Sequence, residues 1–174
     1  GPFGGCYALR STYWTPVPPT FLVDDFYVTM RALEQGGKAI NDLEARCTET
    51  VTHDLWVEFR RKSRISAGNF QNLSTFKHLL WPPWTGLAFS FFSHKILRWL
   101  GPFFFLLMLG CSLGLSFTNT FYKWLFIIQL MGWLGLPLLD FLLQKSGRHW
   151  LLLRSLNYFI IMNAALLHGL IKYL

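Results

Sequence analysis

WLGPFFFLLMLGCSLGLSF at 99–117, FYKWLFIIQLMGWLGLPLLDFLL at 121–143 and LLLRSLNYFIIMNAALLHGL at 151–170 decide the class of the C-terminal half. Each approaches the ~20 apolar residues that cross a bilayer. One such run could be a buried core helix, but three in succession with short linkers predict membrane spans. Asp140 is the one acid inside them and sits near the end of the second. Lys95 and Arg98 precede the first span, and only Lys123 separates the first from the second. Lys145 and Arg148 lie between the second and third, with Arg154 in the first turn of the third. The excess of cations predicts that the first and third flanks, and the N-terminal half with them, face the cytoplasm of a plasma or inner membrane. Asp140 reads as an interfacial carboxylate near Lys145, and His168 as a satisfied helix histidine.

Working outward, the whole chain has 174 residues, of which 52% are hydrophobic, 18% aromatic and only 14% charged. A soluble domain carries about a quarter charged residues, so one soluble domain throughout is excluded, as is a disordered chain. The net charge of +7 is uneven: residues 1–98 hold 11 of the 16 Lys/Arg and 8 of the 9 Asp/Glu. Cysteines 6, 47 and 111 are odd in number and widely spaced, which supports neither a disulfide framework nor a zinc site. No signal peptide is visible, and a chain opening on Gly1 without Met reads as one whose N-terminal portion lies upstream.

Three regions follow: a polar part at 1–80, an interfacial segment at 81–100 and a membrane region at 101–174. In FSFFSHKILRWL, residues 89–100, Phe89, Phe92, Ile96, Trp99 and Leu100 form an apolar arc opposite His94, Lys95 and Arg98. That pattern predicts a helix lying in the headgroup plane, broken from the first span by Gly101-Pro102. In the polar part, strands are expected at Gly4–Arg10, Phe21–Val23 and Lys38–Ala45. Asp24 is the expected N-cap of a helix over Asp25–Gln35 closed by Gly36-Gly37. A second, basic helix is expected from about Asp54 to Ser66 or beyond Gly68, and Trp81-Pro82-Pro83-Trp84 reads as a turn.

The stretches VDDFYVTMRALEQGGKAINDLEA, EFRRKSRISAGNFQNL and FSHKILRWLGP together resemble a membrane-bound family 2 glycosyltransferase, over nearly the whole chain but only the second half of such an enzyme. The resemblance implies an α/β fold, a partial GT-A domain, followed by interfacial amphipathic helices and an all-α transmembrane region of three helices. It implies a nucleotide-sugar donor, a lipid or glycan acceptor, contact with membrane lipids and no nucleic acid. A divalent metal (Mg or Mn) is implied too, with its main ligands in an Asp-x-Asp that this chain lacks. The family's acidic motif falls on Val23-Asp24-Asp25, which makes Asp25 the expected general base and Asp24 its neighbour. A sugar hydroxyl is a poor nucleophile, so a positioned carboxylate removes its proton as it attacks. The family's Gln-x-x-Arg-Trp falls on Arg61-Lys62-Ser63-Arg64-Ile65, where only Arg64 matches. Arg61 in place of Gln offers the leaving diphosphate a second cation, and Ile65 in place of Trp removes a stacking surface for an acceptor sugar. Gly5 and Cys6 fall on an acceptor-side segment. The rival reading is a non-catalytic polytopic membrane protein, a transporter or assembly subunit, in which the acidic pair serves only to start a helix.

Overall fold

The computed structural model describes residues 6–40, 42, 44–46, 48, 54–148 and 150–174. Among the described residues there are six helices of six residues or more: α1 (Asp24–Glu34), α2 (Leu55–Phe76), α3 (Gly86–Trp99), α4 (Gly101–Ser116), α5 (Thr120–Lys145) and α6 (Leu151–Tyr173). Among the described residues there is no strand, so the expected α/β GT-A fold is overturned. The expected strand 21–23 shows why. Its backbone meets helix side chains instead of a neighbouring strand. Leu22 N–H donates to Gln71 Oε1 (3.1 Å), and Gln71 Nε2 donates to the Thr20 carbonyl (3.1 Å). Arg64 Nη1 donates to the Leu22 carbonyl (3.1 Å), and Asn72 Nδ2 to that of Val23 (3.2 Å). Polar side chains of α2 thus satisfy groups that a sheet would otherwise pair. Residues 6–10 and 38–40 likewise join no ladder, and the rest of the expected outer strands falls partly outside the described residues.

Local chemistry accounts for the helix ends. Asp24 does not cap α1: the cap position belongs to Val23, whose backbone is extended, and Asp24 and Asp25 occupy the first turn. There their charges face the positive end of the helix dipole. Gly36, at φ +82°, ends the helix, and Gly37 N–H returns to the Ala32 carbonyl at 2.8 Å, a left-handed closure that favours glycine. Asp54 caps α2 by accepting from Trp56 N–H (2.7 Å) and Val57 N–H (3.4 Å), and the helix runs on to Phe76. Thr85 caps α3 through Ala88 N–H.

Phe26, Tyr27 and Met30 of α1, Phe70 and Phe76 of α2, and Phe91, Ile96 and Trp99 of α3 form the core. This corrects the expected lipid-facing arc. A π-turn at Phe92–Ile96 shifts the phase of α3, so Ile96 and Trp99 are buried while Phe89 and Phe92 stay exposed.

Helices α5 and α6 are each long and apolar enough to cross a membrane. In α5 a π-turn at Met131–Gly135 precedes Pro137, whose ring would otherwise clash with the carbonyl four residues back. The first expected span is shorter than its hydropathy suggested: α4 has 16 residues, about 24 Å at the helical rise. It meets α3 at a 56° bend, so the two make a third crossing only as a broken pair. The second half of α6 lies along α2. Ser63 Oγ meets His168 Nδ1 at 2.7 Å, and Ser66 Oγ donates to the Leu166 carbonyl at 2.7 Å. A Cβ on Gly169 would lie 2.5 Å from the Ser63 carbonyl oxygen; glycine is what lets the two helices touch. Asp140 is buried between α5 and α6, accepting from Gln144 Nε2 (2.7 Å) and Asn157 Nδ2 (2.5 Å).

Candidate functional site

The acidic pair opens α1 at the surface, with Asp24 exposed and Asp25 half-buried. Phe26 to Met30, immediately after it, are buried, so the core fixes the helix while its first turn stays open. The approach to the pair is held from the other side by α2. Gly68 is the closest point: a Cβ there would lie 2.5 Å from Val23 Cγ2 and 3.1 Å from Val23 N. The close approach at Gly68 is therefore made by the chain's own Val23. Among the described residues neither carboxylate has a side-chain hydrogen bond or ion pair. Thr29 Oγ1 donates to the Asp25 backbone carbonyl, which leaves its carboxylate open.

Two neighbours report the field of the pair. Burial pushes the Tyr7 hydroxyl above its ordinary value, and the charges of Asp24 and then Asp25 push it further. Burial holds the Lys95 ammonium, on α3, below the usual lysine value. Arg98 adds to that, and Asp25 opposes it. Neither residue stood out in the sequence as part of the site. The available signal for Lys95 was a single lysine midway between Phe92 and Trp99.

The other expected residues divide. Arg64 is brought to the pair, bonded to the carbonyl two residues before Asp24. Arg61 is paired with the buried Glu58 at 3.3 Å. Cys6 is a free, exposed thiol; Gly5 lies outside the described residues. Trp81 and Trp84 are exposed on the cis-Pro82 turn.

The far end of α1 is fastened separately. Glu34 accepts from Arg31 (2.8 Å) and meets His78 Nε2 at 2.6 Å. Burial works against ionisation of Glu34, but the hydrogen bonds from Arg31 and His78 outweigh it, and the carboxyl titrates below its usual range.

Among the described residues no three His, Cys, Asp or Glu side chains come together. Two adjacent carboxylates on one helical turn do not by themselves make a metal site. No family model, no curated protein and no solved structure matches the chain.

Proposed function

We propose that this chain belongs to an inverting glycosyltransferase that moves a sugar from a nucleotide donor to a lipid-linked or polysaccharide acceptor. In this reading the protein is multi-pass, with the acidic pair at the cytoplasmic face of a plasma or inner membrane. The α/β GT-A fold is no part of the reading. The observation that supports it most is the acidic pair itself. Two carboxylates free of partners among the described residues stand on a rigid helix start, and α2 holds the segment that leads into them.

Asp25 is then the general base. It takes the proton of the acceptor hydroxyl as that oxygen bonds to the anomeric carbon, and the bond to the diphosphate breaks with its electron pair leaving on the diphosphate. Attack from the side opposite the leaving group inverts the centre. Asp24, more exposed, tunes the field. Arg64 and Arg61 are three residues apart on α2 and serve the departing diphosphate, Arg61 by exchanging Glu58 for a phosphate oxygen. A metal is expected for such chemistry, but the described residues do not fit one, and no step here uses it.

Asp25→Asn tests the reading. In the full-length enzyme it lowers turnover about 10²–10⁴-fold, or about 3–5 kcal/mol of barrier, with the fold intact. Asp24→Asn costs less. Near wild-type turnover in well-folded Asp25→Asn refutes the base. The all-helical character of the described residues favours the rival, a non-catalytic polytopic membrane protein. Absence of transfer from any nucleotide sugar by the wild-type protein decides for that rival.

A further inference from the structure

Asp140 is 3% exposed between α5 and α6, although the sequence places Lys145 within reach as an interfacial partner. Lys145, Arg148 and Arg154 are all exposed instead, and among the described residues none of them pairs with Asp140. Amides meet the carboxylate. Gln144 Nε2, one turn on, donates to Oδ2 at 2.7 Å, and Asn157 Nδ2, across on α6, donates to the same oxygen at 2.5 Å. Asp140 Oδ1 has no donor among the described residues. Asn157 is 6% exposed, and its Oδ1 is buried with no hydrogen-bond partner. That oxygen shares a carbon with the nitrogen bound to Asp140, so two acceptors without a donor stand at one buried place on facing helices.

No other charge is aimed at them. Helix α4, packed on α5 and α6, carries no Asp, Glu, His, Lys or Arg, and its Cys111 is exposed. Tyr158 of α6 is exposed too. Helix α2 meets α6 toward its other end, where His168 is bonded to Ser63, and Glu58 is paired with Arg61. A buried charge without a counter-charge is costly, and ionisable groups inside membrane spans pair with one another or mark ion paths. One positive charge between the two free oxygens meets the cost and supplies the missing partner.

We propose that Asp140 and Asn157 form a binding site for one monovalent cation, an alkali-metal ion or a proton, that clasps α5 to α6. The shared chemistry is a single positive charge bridging Asp140 Oδ1 and Asn157 Oδ1. A proton does this as a carboxylic acid O–H donating to the amide carbonyl, while the amide N–H donates to the acid's other oxygen. An alkali ion takes the same two oxygens as hard ligands. One carboxylate balances one charge; a divalent ion would ask for more acidic oxygen. The site is separate from the acidic pair of α1 and does not depend on how that pair is read.

Two measurements on the full-length protein in nanodiscs test the site. The first is infrared spectroscopy at neutral pH, with the aspartate carboxyls labelled with carbon-13 and choline as the only buffer cation. A protonated acid shows a C=O stretch that a carboxylate lacks. The second is thermal unfolding against NaCl and KCl, with choline chloride holding ionic strength constant; a bound ion raises the midpoint with its concentration. Asp140→Asn removes the charge, yet its amide can still exchange two hydrogen bonds with Asn157, so the helices stay packed. A proton in the site gives an acid band in choline that Asp140→Asn removes and Asn157→Leu shifts, as the acid loses its acceptor. An alkali ion gives a rise in midpoint that Asp140→Asn abolishes, and Asn157→Leu raises the salt concentration needed about tenfold or more. Either result supports the site and names its cation. An ionised Asp140 in choline, with no response to either salt, overturns it. So does an acid band or salt response that survives in Asp140→Asn or that Asn157→Leu leaves unchanged. Should Asp140→Asn not fold, the comparison of wild type with Asn157→Leu decides.

Discussion

Gly68→Ala is the most direct probe of how the acidic pair is held. In the interior of a helix, alanine is ordinarily the better residue by about 1 kcal/mol. At position 68 the added methyl would sit 2.5 Å from Val23 Cγ2, 3.0 Å from Val23 Cβ and 3.1 Å from Val23 N. Val23 cannot evade it by turning a flexible side chain, because its Cβ and backbone are also in the way. Segment 20–23 must back off, and with it go the four hydrogen bonds it makes with Arg64, Gln71 and Asn72. Overpacking of this kind costs about 1–3 kcal/mol, and hydrogen bonds contribute about 0.5–1.5 kcal/mol each when fully lost. Three of the four are exposed to solvent, which lowers their share. The balance is a net loss of about 1–3 kcal/mol where helix propensity alone predicts a gain. Chemical unfolding in nanodiscs measures the sign, and amide exchange over residues 20–30 shows whether the loss is local. Gly114→Ala, with open space around its Cβ position, is the control and should show the gain of up to about 1 kcal/mol that helix propensity predicts. If Gly68→Ala is as stable as wild type with unchanged exchange at 20–30, the docking of this segment on α2 is refuted.

Cysteines replacing Phe70 and Tyr173, whose rings lie 6.3 Å apart, should cross-link on mild oxidation; failure to do so, with Phe59 and His168 positions equally silent, would contradict the packing of α6 along α2. Glu34→Gln should flatten the acid limb of stability. The Glu34 carboxyl is held below its usual range, so its contribution is present above the ordinary carboxylate value and is lost as pH falls through the lowered one. An unchanged acid limb in Glu34→Gln, followed by thermal unfolding between pH 3 and 6, would show that the Arg31 and His78 contacts add nothing.

Much of the helical framework was legible in one dimension, because its causes are local. Long apolar runs at 121–143 and 151–170 need no partner to declare that they suit a bilayer. The glycines after Gln35, the aspartate before Leu55 and the Gly-Pro after Leu100 mark ends through backbone conformation, capping and a missing N–H. Two local readings still failed. Asp24 looks like a cap but sits one residue inside the helix. The arc of residues 89–100 assumed a regular period that the π-turn breaks, which exchanged Ile96 and Trp99 for a place in the core. The strands failed for a different reason. A short extended apolar segment such as Phe21–Val23 states only that its backbone is extended; whether a strand or a helix side chain satisfies its polar groups depends on what lies across from it. Here that was Arg64, Gln71 and Asn72, more than forty residues on.

The sequence by itself therefore determined the helices, the apolar runs and the position of the acidic pair, since propensity, capping and hydropathy act within a few residues. Only the tertiary structure decided that Gly68 serves Val23, that Gly169 lets α6 lie against α2, and that Lys95 lies over the Phe26 ring. Those are contacts between distant parts of the chain, set by how side chains pack in three dimensions. Their energies are felt only when both partners are in place.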